Sequence, residues 1–245
     1  MLTVLGIIAV VVVILCVAIM LALKYSAKKT AAFIAANQLP PEQEQWLAFG
    51  ALLIEHRGEI TRLLKITEGN LQEYQEGFAL SWEVFDENSA REKIKWLIEE
   101  GHRDKYASTF QSVKQSIRPA EFYDEEWKAC EEALGYLRSH IKLSDAQIAG
   151  VSSMSAWDYE RTAFLARCFH FMGYLTEEET WALLRKVALM ARAEFDDWNT
   201  YFASFLLGRV IAYGGDTYEM VLNAQTLFKP DNVWGIYPLK GIPVN

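Results

Sequence analysis

Two small groups of residues in this chain have types and spacings that chemistry could use. The first is Asp158, Arg161 and Arg209. Trp157, Arg161, Phe164, Cys168 and Phe171 recur at helical spacing, as do Trp198, Phe202, Phe205, Arg209 and Ala212, so each apolar stripe carries one arginine. A charge drawn into an apolar face persists only when paired and hydrogen-bonded. Two guanidinium forks beside a carboxylate could face an anionic or polar ligand. The same residues could instead tie helices together as a satisfied core network, with Asp158 serving as the acid of a helix cap. Arg167 lies on the same helix and reads as able to point to solvent. The second group is Gly101-His102-Arg103-Asp104. A histidine at a helix end, oriented by Asp104, has the makings of a general base. A cation past a helix C-terminus with glycine at the C′ position is the simpler account. Together the two groups give His102 and Asp158 as weak catalytic candidates. Arg161, Arg209, Asp158 and Arg103 form a candidate ligand site or core polar network.

Other chemistry finds little support. Glu99 and His102 have the Glu-x-x-His spacing of di-iron bundles, but there is one copy and Gly101 interrupts it. The four histidines form no His-Glu-x-x-His, and no Cys-x-x-Cys exists, so no metal is expected. Gly150-Val-Ser-Ser-Met154 begins like a nucleophile elbow but lacks the second glycine. No phosphate-cradling glycine loop occurs, and no cofactor is expected. Trp157, Trp181 and Trp198 read as core side chains rather than a ligand cage. The net charge of −8 becomes −11 for residues 31–245 once Lys24, Lys28 and Lys29 are set aside. So acidic a body is a poor partner for a phosphate backbone, which argues against nucleic acid.

The elements that position these groups are helices. Over 157–213 three segments follow one another closely. Ser155…Asp158 and Thr176…Glu179 have capping-box spacing, and Asp196-Asp197-Trp198 opens the third segment. Gly173 ends the first segment in the manner of a left-handed C′ residue. Trp181, Leu184, Ala188, Ala191 and Phe195 mark a buried face. Further helices are expected at 41–57, 71–80, from a Ser89…Glu92 capping box to Gly101, at 104–116, 120–140 and 218–227, with a short capped turn at Ser144…Gln147. No run alternates at period two, so the fold class is all-α. Cys130 and Cys168, on helices, fit a reducing compartment, and three cysteines are too few for a disulfide framework.

Residues Met1 to Leu23 contain no charge. Leu2 to Leu23 as a helix spans roughly 33 Å, enough to cross a hydrocarbon core of about 30 Å. A single N-terminal transmembrane helix (1–24) in the bilayer is expected, followed by a juxtamembrane linker (25–40). A compact multi-helix domain (41–229) and an irregular tail (230–245) with three prolines complete the chain. The basic n-region and shorter apolar core of a signal peptide are missing. Lys24, Lys28 and Lys29, just after the span, keep the C-terminal side in the cytoplasm by the positive-inside rule.

Two stretches carry a resemblance. One is Ser81-Trp82 followed by 89–103, ending in Gly101-His102-Arg103. The other is Ala156-Trp-Asp-Tyr-Glu-Arg161 through Gly173-Tyr174, Glu177 to Trp181, Phe195, Trp198 and Leu207-Gly208-Arg209. Over about 82–214 the chain resembles the bacterial family catalogued as domain of unknown function 1266. The resemblance implies no established activity. The expectation for function is therefore an inner-membrane protein whose acidic domain is an interaction or regulatory module with a protein partner. The alternatives are a hydrolase or transferase using His102, Asp158, Arg161 and Arg209, and an immunity-type protein that neutralises a toxin at the membrane through its acidic surface.

Overall fold

The computed structural model describes residues 2–67, 69–215 and 217–243, the side chains of 2–11 and 13 excepted. It is all-helical, with no strand among the described residues. The chain divides into two units, Met1–Gln38 and Leu39–Asn245.

The first unit is one helix, α1 (Leu2–Asn37). At 1.5 Å per residue it is about 54 Å long. The segment read as a linker, 25–40, is thus helical as far as Asn37. The helix stops two residues short of Leu39, which precedes Pro40-Pro41 and is driven out of the α region by the first proline. Half of the span expected over 1–24, residues 1–11 and 13, falls on side chains that lie outside the described ones. Among the described residues no helix is long and apolar enough to cross a membrane.

The second unit contains α2 (Pro41–Glu44), a 3₁₀ turn (Gln45–Ala48), α3 (Ala51–His56), α4 (Leu71–Trp82), α5 (Glu87–Glu99), α6 (Gly101–Lys105), α7 (Ala107–Val113), α8 (Asp124–Ser139), α9 (Asp145–Ala149), α10 (Ser155–Phe171), α11 (Glu177–Glu194), α12 (Trp198–Tyr213), α13 (Tyr218–Leu227) and α14 (Val233–Ile236). Its centre is α10, which packs against α3, α5, α6, α11 and α12. Every residue from Ser155 to Phe169 is buried. A helix enclosed on all sides has no polar face. That corrects the reading of one apolar stripe through Trp157, Arg161 and Phe164. Helix α12 is nearly as enclosed, and Gly208 lets α10 come close: a Cβ there would meet that of Trp157 at 2.7 Å.

Caps decide where the other helices begin. Thr176 Oγ1 accepts from Glu179 N at 3.2 Å, and Glu179 Oε2 accepts from Thr176 N at 2.8 Å, as their spacing predicts. Thr176→Ala is expected to lose about 1 kcal/mol of stability, seen as a lower urea midpoint at unchanged slope. Ser144 and Gln147 make the same reciprocal pair, and Asp197 caps α12 by accepting from Thr200 N. Elsewhere the boundaries shift. Helix α5 starts three residues early because Asp86, not Ser89, is its cap, with Ser89 Oγ accepting from Asp86 N in return. The helix expected over 104–116 is two pieces, broken at Tyr106. Helix α8 begins at Asp124, where Asp124, Glu125 and Glu126 place negative charge on the first turn. The stretch 230–245, read as irregular, contains α14 and a 3₁₀ turn at Leu239–Gly241. It is held because Trp234 stacks on Trp198 (centroids 5.0 Å apart) and donates from Nε1 to Ala48 O at 2.8 Å.

Candidate functional site

The buried charges of α10 each meet a different element. Asp158 is fully buried. Its Oδ1 accepts from His102 N at 3.0 Å and its Oδ2 from Arg103 N at 3.0 Å. Those are the first free N–H groups of α6, so the carboxylate caps a helix from across the core rather than its own. The capping box expected at Ser155…Asp158 therefore does not form. Ser153 Oγ accepts from Ser155 N and Ser204 Oγ from Ala156 N, which supplies the first turn of α10 by other means. The Ser155 hydroxyl instead donates to Glu194, which also accepts from Ser152, Ser153 and Tyr159.

The backbone turn that brings His102 to Asp158 needs Gly101. Its φ is +69°, and a Cβ there would lie 2.2 Å from Asp158 Oδ2. Arg103 then folds back over the end of α5. Its Nη1 donates to Leu97 O at 2.6 Å and its Nη2 to Ile98 O at 2.5 Å, with Asp158 Oδ2 3.4 Å from Nη1. Its fork is occupied by orphan carbonyls of α5.

His102, Asp158 and Arg161 do come together. Arg161 Nη1 lies 2.7 Å from His102 Nδ1, and that nitrogen is 3.6 Å from Asp158 Oδ1. Arginine can only donate, so the shorter contact assigns the lone pair to Nδ1 and the ring proton to Nε2. The ring sits edge-on to Trp96 and parallel to Tyr106, at centroid distances of 5.1 and 6.0 Å. Asp104 makes no contact with the imidazole among the described residues. Arg161 is 7% exposed, with its guanidinium over the rings of Trp82 (4.7 Å) and Trp157 (4.8 Å). Burial pulls it down to about 10, and Asp158, 3.9 Å away, opposes that shift. Arg209 is half-buried, its guanidinium 6.0 Å from the Trp157 ring centre. It lines the same cavity as Arg161.

Two further charges lie deep in the core. Glu160 is fully buried. It accepts from Gly50 N at 3.0 Å, Leu52 N at 2.7 Å and Tyr201 Oη at 2.9 Å. Burial pushes its carboxyl up to about 7 against those donors. The expected helix 41–57 breaks here because Gly50 turns back with φ +76° to present its N–H; a Cβ would lie 2.6 Å from Phe164 N. Arg167 is 1% exposed, not solvated, and burial pulls it down to about 10. Its Nη2 donates to Ile60 O at 3.1 Å and to Leu63 O. Glu160 carried no signal of its own in the sequence: a glutamate beside an arginine on a helix ordinarily reads as a solvated residue, and its partners Gly50 and Leu52 lie more than a hundred positions away.

Among the described residues no group of three or more histidine, cysteine or carboxylate side chains is arranged to hold a metal.

The family model described as Protein of unknown function (DUF1266) matches residues 79–237. The Escherichia coli (strain K12) protein named Uncharacterized protein YbeU is 27% identical over 157 residues, 62% of this chain and 64% of that protein. Uncharacterized protein YbeR of the same organism is 28% identical over 129 residues, 53% of this chain and 54% of that protein. Each match thus spans less than two thirds of the relative's length. No solved structure matches.

Proposed function

Taking as premise that the chain belongs to the DUF1266 family, which brings no assigned activity with it, we propose that it is a membrane-tethered helical interaction or regulatory module. The observation that carries the choice of module over enzyme is how the polar groups of α10 are spent. Both Asp158 oxygens accept backbone N–H groups, Arg103 serves two carbonyls, and His102 Nδ1 faces an arginine donor. A general base needs a free lone pair aimed at substrate. Of these groups only His102 Nε2 is uncommitted, and in this assignment it carries the proton. The group fixes loop positions and keeps the body rigid.

The tether rests on the uncharged run Met1 to Leu23 and on Lys24, Lys28 and Lys29, which favour the cytoplasmic side of the inner membrane for the body. The acidic body, at −11, suits a protein partner carrying a basic patch. Carbonate washing of membranes is expected to leave the full chain in the pellet, and external protease on spheroplasts to spare the body. In-cell crosslinking is expected to capture the same partner from the intact chain and to lose it when residues 1–24 are deleted. Release of the intact chain by carbonate would overturn the tether. A crosslinking pattern indifferent to that deletion would overturn the coupling of tether to partner.

A further inference from the structure

Helices α3, α4, α10 and α12 line a cavity of about 190 Å³ that opens to the surface. Its walls include Leu53, Trp82, Trp157, Phe164, Arg161 and Arg209, with Ser81 and Tyr213 exposed among its lining. Among the described residues no carboxylate lines it. Arg161 is the unusual member. Among the described residues its single hydrogen bond runs from Nη1 to His102, and its Nε is buried with no acceptor. The Trp157 indole N–H is likewise buried without one. The nearest carboxylate, Asp158, is 3.9 Å from Nη1 and already accepts two backbone N–H groups. A buried donor left unmet is costly and is rare in folded proteins.

We infer that this cavity is a receptor for a small organic oxyanion, a carboxylate or phosphate monoester on a ring-sized apolar body, held side-on by the Nε–Nη2 edge of Arg161. Three features point the same way. The guanidinium is held against two indole rings, its carbon 4.7 Å from the Trp82 ring centre and 4.8 Å from that of Trp157, so its planar edge is preorganised for two oxygens of one acid group. The volume suits a ring, since a cavity of about 150 Å³ holds benzene. Leu53, Trp82, Trp157 and Phe164 supply apolar wall, while Arg57 adds positive charge from α3's C-terminal end beside the polar His56, Ser81 and Arg209. In such a cavity a few placed polar groups fix the ligand and apolar walls supply its affinity. This goes beyond the module reading and stands or falls separately from it.

The test is calorimetric titration of the full chain in detergent micelles with benzoate, phenyl phosphate, inorganic phosphate and the neutral isostere benzamide. One of the two ring-bearing anions is expected to bind saturably at one site. Benzamide and inorganic phosphate are expected to bind about tenfold more weakly or worse, because one lacks the charge and the other the ring. Arg161→Lys keeps the charge and loses the fork, and is expected to weaken the anion by about tenfold. Should that variant fail to fold by circular dichroism, Ser81→Trp decides instead. It places a large ring at an exposed position in the cavity's lining, replaces no core residue, and is expected to abolish binding at unchanged melting temperature. Absence of binding by either ring-bearing anion up to millimolar concentration overturns the inference. So does equal binding of benzamide, or binding untouched by Ser81→Trp.

Discussion

Gly101→Ala is expected to destabilise the body by about 4 kcal/mol or more. Left-handed backbone costs an alanine roughly 1–2 kcal/mol on its own. The larger share comes from the clash. The new Cβ would meet Asp158 Oδ2 at 2.2 Å and Cγ at 2.5 Å, and that carboxylate is fully buried. Asp158 must then swing away, leaving His102 N and Arg103 N without acceptors in a dry setting. Each such loss is worth about 1–3 kcal/mol. For a body of this size the melting temperature is expected to fall by about 10 °C. Gly77 is the control: it lies within α4 and a Cβ there meets nothing within 4 Å. Gly77→Ala is expected to be neutral or stabilising by up to about 1 kcal/mol. Similar melting temperatures for the two variants would show that Asp158 does not hold this turn.

Glu160→Ala is expected to be about as severe, at roughly 3–5 kcal/mol. It strands Gly50 N–H, Leu52 N–H and the Tyr201 hydroxyl, and removes a buried carboxyl group whose field supports Arg167. The effect carries a pH signature. Burial raises the Glu160 carboxyl from its ordinary 4.5 to about 7, so the folded state holds its proton more tightly than the unfolded state. Stability from this group is therefore complete below about pH 4.5 and declines as pH rises through about 7. The gap between wild type and Glu160→Ala is expected to be widest near pH 4.5 and narrower by up to about 3 kcal/mol at pH 8. Urea titrations of both proteins at three pH values check it. A gap that widens with pH would mean that the donors around Glu160 outweigh its burial.

The helices were legible because their signals are local. Thr176, Ser144, Asp197 and Gly173 each act within one turn, and the structure uses all four as their spacing suggests. What stayed hidden is contact between distant segments. Ser155 and Asp158 have cap spacing, but one is taken by Glu194 and the other by α6. Ser89 lost its cap to Asp86, a stronger acceptor three residues earlier. Gly50 looked like an ordinary helix residue because the reason for its turn, Glu160, lies 110 positions away. The site was half visible. An arginine on each apolar stripe singled out Arg161 and Arg209, whereas Trp82, Arg57 and Leu53 reach the same cavity only through tertiary packing. No periodicity within one helix reports such a meeting.

The carboxylate of Glu160 has a consequence for how the chain is made. Leu52 precedes its acceptor by 108 residues. A ribosome adding about 5–20 residues per second needs roughly 5–20 s to supply that acceptor. For that interval α3 has no acceptor for its leading amides, and α6 waits as well for Asp158. The first 150 residues thus emerge as helices in search of an axle, and the body closes in one late step when α10 arrives. Nascent chains stalled before α10 leaves the exit tunnel should be cut freely by protease throughout residues 45–115, and those stalled well after it should not.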